Sequence, residues 1–111
     1  MRDSPNKLSL TEAVVAQLLQ ESPTPLFGLE MVRRSPPGEL QLKKGTIYVT
    51  LERMDKKGLV TSKLETTRPP HLKPDDFYIP RRMYWLTEQG SAALEATKEV
   101  LAQYHGFLVR S

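Results

Sequence analysis

The stretch Lys44-Gly45-Thr46-Ile47-Tyr48-Val49-Thr50-Leu51-Glu52-Arg53-Met54-Asp55-Lys56-Lys57-Gly58-Leu59-Val60 decides how the rest of this chain is read. Ile47, Leu51 and Met54 fall at i, i+4 and i+7, the spacing that gives a helix one apolar face. Gly58 follows the last periodic residue, where a left-handed C-cap is expected, and Leu59 is placed to pack back on the helix as in a Schellman motif. The opposite face carries Thr46, Val49, Arg53 and Lys56, with Lys43 and Lys44 at or just before its start.

Working outward, the residues after this helix alternate: Leu59, Thr61 and Lys63 one way, Val60, Ser62 and Leu64 the other, the period of a strand. A second strand fits Arg82 to Leu86. Between them Glu65 to Arg81 holds Pro69, Pro70, Pro74 and Pro80, which excludes a central strand and predicts an exposed hairpin loop. Upstream, Ser9-Leu10-Thr11-Glu12 reads as a capping box opening a helix whose stripe is Leu10, Val14 and Leu18, widened by Val15 and Leu19. Pro23 and Pro25 stop it. A short second helix fits Leu26 to Arg34 and ends at Ser35-Pro36-Pro37-Gly38. Downstream, Thr87 is an N-cap, and Ser91 to Leu108 is an uninterrupted helical pattern with Leu94, Thr97, Leu101, Tyr104 and Leu108 at heptad-like spacing.

The chain has 111 residues, enough for one domain. Its 16 Lys+Arg against 13 Asp+Glu give a formal net charge of +3, a balance that permits nucleic-acid binding without demanding it. With 39% hydrophobic and 26% charged residues the composition is that of an ordinary globular chain. No apolar run reaches the roughly 20 residues of a membrane span, and Met1-Arg2-Asp3-Ser4-Pro5 lacks the apolar stretch of a signal peptide, so a cytoplasmic location and no membrane partner are expected. The absence of cysteine excludes disulfides, a thiolate nucleophile and Cys-based metal sites. His71 and His105 are far apart in the pattern, and there is no Gly-rich phosphate loop, so neither enzyme activity nor a cofactor or metal is expected.

Three short helices, a strand hairpin and a long helix make a mainly α fold with a two-stranded β-hairpin, the order of a winged helix-turn-helix plus a C-terminal helix. In that arrangement the third helix enters the DNA major groove and the hairpin loop, or wing, reaches the backbone beside it. The residues then carry a resemblance. Leu26-Phe27-Gly28-Leu29-Glu30, Gly45-Thr46-Ile47-Tyr48 continuing to Gly58-Leu59-Val60, and Arg81-Arg82-Met83-Tyr84-Trp85-Leu86-Thr87-Glu88-Gln89-Gly90 are similar, in order, to three motifs of the PadR family of bacterial transcription regulators. The resemblance spans about Leu10 to Leu94 and is to the subfamily with a single C-terminal helix. The wing is longer and richer in proline than the family's usual loop. The resemblance implies a regulator of transcription, usually a repressor, acting on double-stranded DNA. The expected division is an N-terminal arm over 1–8, a winged helix-turn-helix domain over 9–87 and a dimerisation helix over 88–111.

The expected DNA contacts follow. Lys43, Lys44, Gly45 and Thr46 sit where backbone amides and helix polarity favour phosphate. Tyr48 lies about 100° around the helix from Ile47, at the edge of the buried face, as a phosphate contact or a core tyrosine with a wet tip. Val49, Thr50 and Arg53 are the candidates for base readout, although Glu52 and Lys56 also make Arg53 look like part of a solvated charged face. Arg81 and Arg82 are expected to anchor the wing to backbone, with Arg68, His71 and Lys73 near them and Asp75 and Asp76 diluting the field. Leu10, Val14, Leu94, Leu101, Tyr104, Phe107 and Leu108 offer more apolar surface than one small domain covers, which predicts a homodimer on a palindromic site. Trp85, the only tryptophan, is expected to pack in the core, with stacking of a small aromatic effector as the other reading. The competing function is a winged-helix module that docks a protein partner and binds no specific DNA.

Overall fold

The computed structural model describes residues 7–65, 70–73, 75 and 80–110. Their elements run α1 (Leu10–Glu21), β1 (Leu26–Phe27), α2 (Gly28–Arg34), α3 (Ile47–Lys56), β2 (Val60–Leu64), β3 (Arg82–Leu86) and α4 (Glu88–Val109). The sheet is antiparallel in the order β1-β3-β2, with Leu26 opposite Tyr84 and Thr61 opposite Trp85.

The hairpin is therefore part of a three-stranded sheet, and the second helix starts two residues later than its pattern predicted. The reason is local. Leu26 and Phe27 follow Pro25 in extended backbone and pair with β3, while the Glu30 carboxylate accepts the Phe27 amide at 2.9 Å. That hydrogen bond satisfies an amide the helix start would leave open, so helical geometry begins only at Gly28.

The core is one cluster. Val15, Ala16, Leu18 and Leu19 of α1 meet Leu26, Met31, Leu42, Ile47, Leu51, Met54, Leu59, Val60, Tyr84, Ala93 and Leu94. The capping box at the start of α1 is present, with the Ser9 hydroxyl accepting from Glu12 and the Glu12 carboxylate accepting from Ser9. The buried stripe of α1 is rotated from the expected one. Leu10 is 54% exposed and Val14 half-buried, and the inward position is taken by Glu12, only 1% exposed. A buried carboxylate needs a partner, and the Lys57 ammonium at the end of α3 supplies one at 2.8 Å.

The C-terminus of α3 closes as its sequence predicted. Gly58 takes φ of +78°, its amide bonds the Asp55 carbonyl at 2.9 Å, and the Leu59 amide bonds the Met54 carbonyl at 2.9 Å. The first turn of α4 then docks on this cap. The Thr87 hydroxyl accepts the Gly90 amide as an N-cap and donates to the Gly58 carbonyl at 2.7 Å. The Thr87 amide donates to the Leu59 carbonyl, and the Gln89 amide group to the Lys57 carbonyl at 3.0 Å. Gly90 sits so tightly on the Leu59 carbonyl and the Leu86 side chain that a Cβ would overlap both.

Two outcomes follow for stability. Gly90→Ala should destabilise by about 1–3 kcal/mol, because the obstacle is backbone and cannot rotate away; urea denaturation measures it. For Glu12, burial raises the carboxyl pKa most strongly, but the hydrogen bonds and charge of Lys57 and the bonds to Ser9 outweigh it and leave the value below that of an ordinary glutamate. Its ionised form thus favours the fold above the unfolded pKa of about 4.3, and this contribution disappears as pH falls through the folded value. Lys57→Met should cost about 1–3 kcal/mol at neutral pH, the gap to the parent narrowing in acid as Glu12 is protonated. Denaturation at the two pH values reads both.

Candidate nucleic-acid interface

The chain turns into α3 before its first helical residue. The Lys43 carbonyl accepts the amides of both Thr46 and Ile47, at 3.1 and 3.0 Å, so Lys43, Lys44, Gly45 and Thr46 are wrapped at the helix start with all four exposed. One turn on, Val49 is 60% exposed and Tyr48 51%, while Ile47, Leu51 and Met54 are fully buried. Arg53 and Lys56 continue the exposed face. Lys56 pairs with Glu52 at 3.2 Å, and no ion pair within the described residues engages Lys43, Lys44 or Arg53. The face is thus cationic at both ends, with an apolar side chain between.

Thr50 does not belong to it. At 5% exposure it faces inward, because it stands three residues after Ile47 and four before Met54, on the arc those residues bury. Tyr48 lies across Gly28 of α2. A Cβ at Gly28 would come 2.7 Å from the ring, so a larger residue there would displace the Tyr48 side chain. The burial of Tyr84 nearby raises its phenol pKa and keeps it neutral.

At the base of the wing the two arginines differ. Arg81 makes a two-armed bond to the Glu65 carboxylate, at 3.1 and 3.4 Å, and its guanidinium lies 3.9 Å from the Phe27 ring centroid. It clasps the two ends of the wing to β1, so its charge is already engaged by the protein. Arg82 donates to the Ser62 hydroxyl across the hairpin at 3.0 Å and is otherwise exposed. His71, Lys73 and Asp75 are exposed; Arg68 and Asp76 lie outside the described residues, as do positions 1–6 of the N-terminal arm.

The expected dimer surface divides in two. Leu94 is 2% exposed and belongs to the protomer's own core, where it packs with α1. Leu10, Val14, Leu18, Leu40 and Leu101, together with Leu94, line an apolar groove of about 320 Å³ between α1 and α4. Beyond it α4 has no cover: from Lys98 to Arg110 every residue is exposed, Leu101, Tyr104, Phe107 and Leu108 by 47–61%. The molecule is accordingly elongated, 64 × 28 × 25 Å. Trp85 is 38% exposed on β3, so it is not the core residue its position predicted, and it does not line the groove. Its strand alternation explains this: Tyr84, next to it, takes the inward side. No helix among the described residues is long and apolar enough to cross a membrane.

This arrangement has a known counterpart. Residues 15–96 match the family model of the PadR-like transcriptional regulators. The chain belongs to that family. Among solved structures it is similar to a PadR family transcription regulator from Clostridium difficile, at 23% identity and a TM-score of 0.70, with 90% of this chain and 95% of that one covered. A PadR family regulator from Eggerthella lenta gives 23% identity and a TM-score of 0.62, covering 90% and 81%. Bacillus subtilis PadR, solved in complex with operator DNA, gives 19% identity and a TM-score of 0.59, covering 90% of this chain but 47% of that one. No functionally curated protein matches. The PadR-like chain therefore has the winged-helix fold of transcription regulators, with α3 as the third helix and β2–β3 as the wing.

Proposed function

We propose that this PadR-like protein is a homodimeric, sequence-specific double-stranded DNA-binding regulator that represses transcription from a palindromic operator. The observation that carries the reading is the outer face of α3. Lys43 and Lys44 flank its start, Arg53 its far turn, and Val49 stands between them, all exposed and without an ion-pair partner in the described residues. Such a face fits a major groove, the lysines meeting phosphates while Val49 and Arg53 reach base edges. The operator complex of Bacillus subtilis PadR, a protein of the same fold, supports the partner.

Dimerisation is supported by α4. Its uncovered length from Lys98 to Val109 extends about 18 Å at ~1.5 Å per residue. A single copy leaves its leucines and aromatics in water. A second copy laid antiparallel would cover them and the groove beside Leu10 and Val14 together, and would set two α3 helices on one side of a two-fold axis.

Phosphate contacts then dominate affinity, so duplex binding followed by fluorescence anisotropy should weaken steeply with salt. Replacing Lys43 and Lys44 by alanine should lower the salt slope by about 1 per lost phosphate contact with little change in sequence preference. Arg53→Ala should cost about 1–3 kcal/mol on the operator and less on a scrambled duplex. Equal, salt-independent weak binding to both would overturn the reading in favour of a protein-docking module. Ending the chain after Thr97, which keeps Ala93 and Leu94 in the core, should leave a folded monomer in sedimentation equilibrium. An unchanged dimer would remove the role given to α4.

A further inference from the structure

Between α2, α3 and the wing base lies a cleft of about 370 Å³ whose lining includes Arg33, Tyr48, Arg81 and Arg82. Arg33 is exposed and makes no hydrogen bond or ion pair with any described residue. The Tyr48 ring lies against Gly28, Tyr48 lines the same cleft, and its hydroxyl has no hydrogen-bond partner among the described residues. Arg82 is fixed at one side by its bond to Ser62. The acid in the cleft, Glu30, is answered from within: one oxygen accepts the Phe27 amide and the other lies 3.8 Å from Arg34. Arg81 is likewise engaged by Glu65 and the Phe27 ring. What remains in the lining of the cleft is a set of donors, two guanidinium groups and a phenol, contributed by three separate elements.

We infer that this cleft is a phosphate clamp, in which Arg33 of α2, Tyr48 of α3 and Arg82 of β3 together hold a backbone phosphate of the DNA that α3 reads. The inference rests on the DNA-binding reading above and adds a contact from α2. Tyr48 is adjacent to Val49, so a phosphate in the cleft lies at the rim of the groove whose bases the exposed face of α3 would meet. A planar guanidinium grips a phosphate through paired N–H donors, and a phenol adds one more donor in a fixed direction. Because the three donors sit on α2, α3 and β3, one phosphate would fix both the depth of α3 and the position of the wing.

A lysine outside the cleft is the control. Lys7, ahead of α1, is exposed, makes no ion pair with any described residue and lines neither the cleft nor the α1/α4 groove, and its loss removes the same charge. A labelled duplex of mixed sequence suffices as probe, since a phosphate contact is independent of sequence. The parent chain, Arg33→Gln, Arg33→Lys and Lys7→Gln would be titrated across a salt series, with circular dichroism melts confirming that each folds. The clamp requires Arg33→Gln to lower the slope of log affinity against log salt by about 1 per protomer, roughly an eightfold loss at 0.1 M salt. Arg33→Lys should recover the slope, and Lys7→Gln should keep that of the parent. If Arg33→Gln and Lys7→Gln behave alike while the parent binds duplex, the clamp is wrong and the DNA reading stands. If the parent binds no duplex at any salt, both are wrong.

Discussion

The structure depends on how the end of α3 is sealed by the start of α4. A helix leaves its last carbonyls without partners. Here the Schellman turn at Gly58 takes the carbonyls of Met54 and Asp55, and the first turn of α4 takes those of Lys57, Gly58 and Leu59 through Gln89 and Thr87. The same Thr87 hydroxyl caps α4. One side chain thus terminates one helix, starts another and bonds them together. Gly90 allows the approach by having no Cβ to meet the Leu59 carbonyl. For a regulator of this architecture the consequence is geometric: the helix that would read DNA and the helix that would join two copies are rigidly indexed to each other, so the spacing of two α3 helices is set by the protomer and not by a linker.

The remaining supports of α3 arrive from the other side. Glu12 is buried at the start of α1 and anchored to Lys57, so the first and third helices are tied by charge as well as by Val15, Leu19, Leu51 and Met54. Replacing such a pair by apolar side chains need not weaken a protein, whereas removing one partner does. The geometry of Glu12 shows why this pair has additional support: the Ser9 amide donates to the oxygen that Lys57 leaves open. At the opposite end of α3, Gly28 accepts the Tyr48 ring and Ser35 bridges the end of α2 to Leu42, its hydroxyl accepting the Leu42 amide at 2.9 Å. The helix is held along its inner face and at both ends, which leaves its outer face rigid and open.

The second half of α4 is supported in the opposite way. Past Thr97 no residue of the protomer covers it, and an exposed helix of that length is marginal in water by itself. Its order is bound to whatever occupies its apolar side. A second copy fits that requirement because the groove between α1 and α4 is apolar and begins where the uncovered stripe begins, at Leu101. The wing contrasts again: its base is clasped by Arg81 across Glu65 and Phe27, so the hairpin leaves the domain from a fixed point.

The sequence by itself determined the helix α3, its glycine cap, both hairpin strands, the capping box at Ser9 and the N-cap at Thr87, because each is set by residues within a few positions of one another. Periodicity also placed Ile47, Leu51 and Met54 inward, and three ordered motifs were enough to indicate the family. Tertiary structure decided what local pattern could not express. Leu26 and Phe27 became a strand because β3 offered hydrogen bonds across more than fifty residues of sequence. Leu94 turned inward because α1 occupied that side, and Trp85 turned outward because Tyr84 took the core position, whereas Thr50 already lay on the arc of Ile47 and Met54. Lys57 was legible only as a surface lysine until α1 brought Glu12 against it, and Arg33 became a candidate contact only when α2, α3 and β3 closed a cleft around it. Short-range rules fix where elements begin and end; which face of each is buried, and which charges meet, depends on partners distant in the chain.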